Sequence, residues 1–238
     1  MSVGPFGVEG NRRFFLVDRG MRMINGKRIG ALQTILADYA APARELWVGF
    51  PDGTVVTDTV AQGEPLEAGF FGGLMAAHAV QGPWSAAISE HVGEPLALLE
   101  SDLDEGAIDR GRGGTVSLVS RATLGRLAAQ AGGDGREPVD ARRMRMLFEI
   151  EGVPAHEEDT WIGRPLRIGG AVISLRGHTG RCVVTTRDPQ TGEQTLDTLK
   201  LLARYRLEVP STEPLSCGVH GEVLAAGVVR IGDPVALT

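Results

Sequence analysis

A β-rich α+β fold, made of many short strands with a few short helices between them, is the class this sequence predicts. Three observations carry the prediction. The chain has 33 glycines and 13 prolines against 5% aromatic residues, a composition that favours short strands and tight turns. Apolar runs of strand length are closed by turn tripeptides such as Pro51-Asp52-Gly53. Apolar repeats at helical spacing occur only in short stretches. With 238 residues, the chain is long enough to bury a core without disulfides or a structural metal.

Residues 12–18 form an apolar run bounded by Gly10-Asn11 and Asp18-Arg19-Gly20, and a buried strand followed by a turn is expected. Residues 46–50 and 54–57 flank the Pro51-Asp52-Gly53 turn and predict a hairpin. Trp84, Ile88 and Val92 recur every four residues, so a short helix is expected, ended by Gly93, with residues 96–99 returning as a strand. Residues 100–114 are charged, glycine-rich and without apolar periodicity, which predicts a subdomain boundary or a mobile loop. Residues 115–120 read as a strand, with Ser120 capping a helix that carries Leu124, Leu127 and Ala128 and stops at Gly132-Gly133.

Residues 142–150 alternate in polarity, and a strand is expected with Met144, Met146, Phe148 and Ile150 on one face and Arg143 and Arg145 on the other. Two arginines on one face are either a solvated surface or an anion cradle, since the guanidinium fork fits phosphate. The acidic run 157–159 reads as a solvated turn. Residues 164–175 and 227–237 echo each other as strand, glycine turn and strand, two hairpins suited to closing the edge of a barrel. Between them, residues 188–192 form a turn, and Leu196, Leu199 and Leu202 predict a helix over 195–206.

The formal net charge of −6 argues against broad nucleic-acid affinity. No apolar run approaches the ~20 residues that cross a bilayer, and the first residues lack the pattern of a signal peptide, so a cytoplasmic, non-membrane protein is expected. Two cysteines without a paired motif suit a reducing compartment. The five histidines form no zinc motif, and neither a GxSxG elbow nor a Walker loop is present. Cys182 carries the chemistry. It follows an arginine at an expected loop-to-strand junction in residues 176–186, where partial exposure and positive charge would favour thiolate, although a free cysteine is more often a buried hydrophobe. His178 lies four residues earlier and is a candidate proton donor.

Four segments together resemble the MOSC domain, known from the C-terminus of molybdenum cofactor sulfurases and from amidoxime reducing components. They are residues 140–145, 157–169, 180–192, and 218–224 with 229–235. Residues 7–18 look like the smaller β-barrel domain that commonly precedes it. The resemblance implies a MOSC β-barrel over 106–238, preceded by a barrel-like N-terminal subdomain over 1–105 whose first strand is missing. It implies that Cys182 ligates the molybdenum of a pterin cofactor or carries a persulfide. It also implies that Arg143, Arg145, Gly180 and Arg181 line the cofactor and that Lys27 meets the pterin phosphate. The expected cofactor is molybdenum–molybdopterin and not pyridoxal phosphate. The leading expectation is an oxidoreductase acting on small N-oxygenated substrates. Its electrons would come from a separate protein, as the chain has no flavin or iron–sulfur motif. The alternatives are a metal-free sulfur carrier served by a cysteine desulfurase and a non-catalytic barrel binding a small anion. The chain departs from the family where Met146-Leu147 replaces Pro-Asn, and at Thr179.

Overall fold

The structure, a computed structural model, describes residues 1–8, 10–102 and 111–238, so most of the expected boundary at 100–114 lies outside the described residues. The chain divides into two compact units, one of Gly10–Asp104 with Pro189–Glu193, the other of Met1–Glu9, Glu105–Asp188 and Gln194–Thr238. The architecture is β-rich α+β. Among the described residues no helix is long and apolar enough to cross a membrane.

In the unit containing Gly10–Asp104, Phe14–Val17 pairs antiparallel with Met23–Ile24 and with Ala97–Ser101, and Gly73–Gln81 and Ala61–Phe70 extend that sheet. The expected hairpin is present as Glu45–Gly49 and Val55–Thr59, with Leu36–Ala40 added on the other edge. Its turn works as the sequence implies: Gly53 takes φ +85° and the Asp52 carboxylate accepts the Thr54 amide at 2.8 Å. Helix α1 (Trp84–Val92) ends on Gly93 in the left-handed region. Trp84 is fully buried in a core with Val48, Val80, Ile88 and Leu98, and its indole donates to the Leu46 carbonyl at 3.1 Å. Within the Ala97–Ser101 strand Glu100 is buried, accepting from Arg13 at 2.5 Å, Arg44 at 2.8 Å and Gln62 at 3.1 Å. Burial pushes its carboxyl upward, but the guanidinium hydrogen bonds outweigh burial and hold it below the usual range.

The other unit is built on six strands: β1 (Val116–Ser120), β2 (Phe148–Ile150), β3 (Pro165–Ile168), β4 (Ala171–Gly180), β5 (Ser216–Ala225) and β6 (Val235–Leu237). Their order is β2-β1-β5-β4-β3-β6. Only the β1–β2 pair is parallel, and a parallel pair requires a crossover, here supplied by helix α2 (Arg121–Gln130). Ser120 caps α2 as expected, accepting the Thr123 amide at 3.1 Å. One face of the sheet buries Leu118, Phe148, Trp161, Ile173, Leu175 and Val219. The other lies under α2 and helix α3 (Thr198–Arg206), with Val119, Leu124, Met144, Leu202 and Cys217. Cys217 and Val219 face opposite sides because a bulge shifts the β4–β5 register between His178↔Val219 and Gly180↔Ser216. Gly218 sits there at φ +77°, with the Leu118 carbonyl 2.7 Å from where a Cβ would stand.

Four expectations are corrected. Residues 142–150 are not one strand: Ala141–Met144 form a 3-10 turn and Arg145 is left-handed at φ +51°. The Asp140 carboxylate accepts the Arg142 amide at 2.9 Å and winds the chain into that turn. Arg143 is consequently buried while Arg145 is exposed, so the two share no face. Residues 227–237 form no hairpin: Gly227–Val228 pairs with Ser2–Gly4, and β6 pairs with β3. The first residues therefore lie in this unit rather than in an N-terminal one, tied further by the Met1 ammonium on the Val229 carbonyl at 2.8 Å. The acidic run is not a solvated turn, since Glu158 is buried.

Candidate functional site

Strand β4 delivers Gly180, and the chain leaves it through Arg181 and Cys182 into a 3-10 turn, Val183–Thr186. The strand thus precedes Cys182 instead of following it, the reverse of the order expected. Threonines explain the winding. The Thr185 hydroxyl and amide both donate to the Cys182 carbonyl, at 3.0 and 3.1 Å, and Thr186 donates to the Val183 carbonyl at 2.7 Å, local bonds that compete with a β ladder. Thr185 and Thr198 share a hydroxyl bond at 2.6 Å, joining this turn to the first residue of α3. Val183 and Thr186 wall an open cleft of about 410 Å³ with Gln194, Thr195, Asp197 and Leu199. Cys182 is half-buried, whereas Cys217 is sealed.

Arg143 and Arg181 are both engaged with the protein itself. The buried Arg143 guanidinium donates to the Thr186 carbonyl at 3.0 Å, Asp188 at 2.9 Å and the Thr195 hydroxyl at 2.6 Å. It clamps both ends of the segment that follows Cys182, which corrects its expected place in an anion cradle. Arg181 reaches the Cys217 carbonyl through Nε at 2.8 Å and the Met144 carbonyl at 2.9 Å, with Met146 Sδ at 3.0 Å. Its charge lies against Cys217 and opposes the larger effect of burial, which pushes that thiol up to about 11.

His178, on β4, is buried. The Thr212 amide donates to its Nδ1 at 3.3 Å, so the neutral ring carries its proton on Nε2, an assignment made from the hydrogen-bond network. That nitrogen lies 3.9 Å from Asp159 Oδ1. Gly180 donates its amide to Glu213 at 2.9 Å. Lys27 lies in the other unit, its ammonium 5.8 Å from the centre of the Phe71 ring.

Sequence reasoning missed the polar cluster behind β4. Glu158 Oε1 accepts the Ser120 amide at 3.1 Å and the Thr123 hydroxyl at 2.7 Å. Asp159 pairs with the buried Arg206 at 2.7 Å, and Arg206 also donates to the Ser216 hydroxyl at 3.0 Å. Acidic residues in a row carry no sign of burial; the Ser120 and Thr123 donors take Glu158 inside, and Arg206 of α3 pairs with Asp159. Among the described residues no group of three or more His, Cys, Asp or Glu side chains is placed to hold a metal ion.

The MOSC domain profile matches residues 105–236. Mitochondrial amidoxime reducing component 2 of Homo sapiens is 40% identical over 95 residues, 36% of this chain and 27% of that protein. The same-named protein of Rattus norvegicus is 34% identical over 129 residues, 50% of this chain and 36% of that protein. The chain spans well under half the length of these relatives. The crystal structure of YiiM from Geobacillus stearothermophilus aligns with a TM-score of 0.39 and 15% identity, covering 59% of this chain and 66% of that one.

Proposed function

The chain belongs to the MOSC domain family, and from that premise we propose that Cys182 is the protein ligand of a molybdenum–pterin cofactor in a cytoplasmic reductase of small N-oxygenated compounds. The observation that carries this reading is the contrast between the two thiols: Cys182 is half-buried on a turn whose next residue walls an open cleft, while Cys217 is sealed. The donor set fits the group. Thiolate is a strong metal ligand, and among the described residues no group of three or more His, Cys, Asp or Glu side chains is placed to hold an ion by itself, which suits a metal that arrives already held by its pterin. Arg145, exposed beside the Arg181 anchor at Met144, would balance the pterin's charge. When bound, the group supplies two-electron redox chemistry, with electrons delivered by a separate electron-transfer protein.

The chain's own residues set up that chemistry. Arg143 fixes the segment after Cys182 by bonding Thr186, Asp188 and Thr195, which limits the positions the thiolate can take. Arg181 ties the turn to β5 and to Met144. His178, with Nε2 3.9 Å from Asp159 Oδ1, would be the proton donor of this reading.

Elemental analysis together with release of a fluorescent pterin tests the reading on protein made in a cofactor-competent host. Equimolar molybdenum that disappears in Cys182→Ser is expected, and folded wild-type protein without stoichiometric molybdenum would overturn it. The reachable Cys182 thiol also supports a second reading, a sulfur carrier. Mass spectrometry after incubation with a cysteine desulfurase would then show one added sulfur that is absent in Cys182→Ala; an unchanged mass ends that reading.

A further inference from the structure

We infer that the hairpin tip at residues 71–74 is a docking surface for an anionic lipid bilayer. Phe71 and Leu74 enter the boundary between headgroups and acyl chains, and Arg22 and Lys27 meet lipid phosphates. The inference is independent of Cys182 and of any cofactor.

Strands Ala61–Phe70 and Gly73–Gln81 pair antiparallel up to Phe70 opposite Gly73, so the loop between them is the dipeptide Phe71-Gly72. Both residues have positive φ, +44° and +87°. A two-residue turn of this kind favours Asn-Gly or Asp-Gly, because a short polar side chain tolerates the left-handed region and a bulky one does not. Here an aromatic ring stands in that place. It is 62% exposed, and Leu74 is 71% exposed. Neither the strain nor the exposure helps the chain fold. The hairpin at Pro51-Asp52-Gly53 in the same unit shows the alternative, since it turns on Asp52 and Gly53. The Phe71 ring is also firmly held: its centre lies 4.9 Å from that of Phe70, edge to face, and Phe70 meets the buried Phe15 at 5.3 Å in the same way. Strain kept at an exposed, well-supported apolar side chain marks a site of contact.

The charges around the tip identify the partner. Residues 45–104 contain no lysine or arginine, and still two cations from earlier in the chain flank the tip. The Lys27 ammonium lies 5.8 Å from the centre of the Phe71 ring. Arg22 bridges to Gly69, the residue opposite Leu74, with its Cγ 3.7 Å from where a Gly69 Cβ would stand. Its side chain is 75% exposed and pairs with Asp18. The acids of the hairpin, Glu64 and Glu67, stand further back along their strand. Apolar side chains thus occupy the apex and cations come one step behind, the order in which an anionic bilayer presents hydrocarbon and phosphate. Among the described residues no helix is long and apolar enough to cross a membrane, and a surface contact needs none. Each of the two signals alone binds weakly; together they hold the chain reversibly at the surface.

Cosedimentation of the full chain with phosphatidylcholine vesicles, with and without phosphatidylserine, tests this on wild type, Phe71→Asn, Leu74→Ser and Arg22→Gln. The wild type should bind the phosphatidylserine vesicles, and added salt should weaken that binding. Loss of one inserted apolar side chain should lower the partition about tenfold, in Phe71→Asn and in Leu74→Ser alike. Arg22→Gln should lower it about fivefold, on phosphatidylserine vesicles alone. Asparagine suits the left-handed turn, so Phe71→Asn should keep or raise the urea midpoint while it loses the vesicles, which separates docking from folding. A wild type that leaves these vesicles unbound, gains nothing from phosphatidylserine, or binds no better than Phe71→Asn would overturn the inference.

Discussion

Cys182 and Cys217 lie in one unit and differ in solvent access, and that difference sets their reactivity. Burial raises the Cys217 thiol to about 11, so it stays protonated and out of reach of solvent reagents. Brief iodoacetamide treatment of the native chain should alkylate one thiol, none in Cys182→Ser, and both cysteines after denaturation of the wild type. Native labelling of Cys217 would contradict the packing described. His156 gives a second prediction at this scale. Burial first, and then the Arg206 charge, hold its imidazole down near about 4, against 6.5 for the free group. The unfolded chain therefore binds a proton as pH falls through 6.5, while the folded chain does not until about 4. Stability from this group is full above 6.5 and is lost by about 3 kcal/mol on the way to 4. Urea unfolding at several pH values should show this slope, and His156→Gln should flatten it.

At the scale of elements, the segment after Cys182 is held by one buried guanidinium. Arg143→Met leaves Asp188, Thr195 and the Thr186 carbonyl without that donor. A loss of about 3 kcal/mol is expected in denaturant unfolding, since breaking a buried ion pair strands its partner; a change under about 0.5 kcal/mol would place the group at the surface. The β5 bulge depends on a single residue. Gly218→Ala must accept a left-handed conformation and a Cβ against the Leu118 carbonyl, and should cost about 2–3 kcal/mol. The hairpin at Pro51-Asp52-Gly53, the Gly93 stop and the Ser120 cap were all legible in the sequence because each is decided by side chains within a few residues. The 142–150 segment was not. Its alternation is genuine, but the Asp140 cap and the inward demand of Arg143 for Asp188 prevail over it.

For the whole molecule, each unit has its own core, with Trp84 central in one and the Leu118–Leu175 sheet face central in the other. Trp84→Ala should remove about 3–5 kcal/mol by leaving a cavity. Hydrogen exchange should show the lost protection concentrated in residues 10–102, and uniform loss over both units would contradict separate cores. The sequence by itself determined the β-rich class, most turns and caps and the family likeness of the second half, because these rest on local conformational preference and motif spacing. Only the tertiary structure decided that Arg143 and Arg181 bond to the chain itself, that Glu158 is buried, that the first residues pair with Gly227–Val228, and that Glu213 sits on the Gly180 amide. Each of these joins residues far apart in the chain, and the energy that selects a partner for a buried charge exists only once strands and helices have removed the water around it.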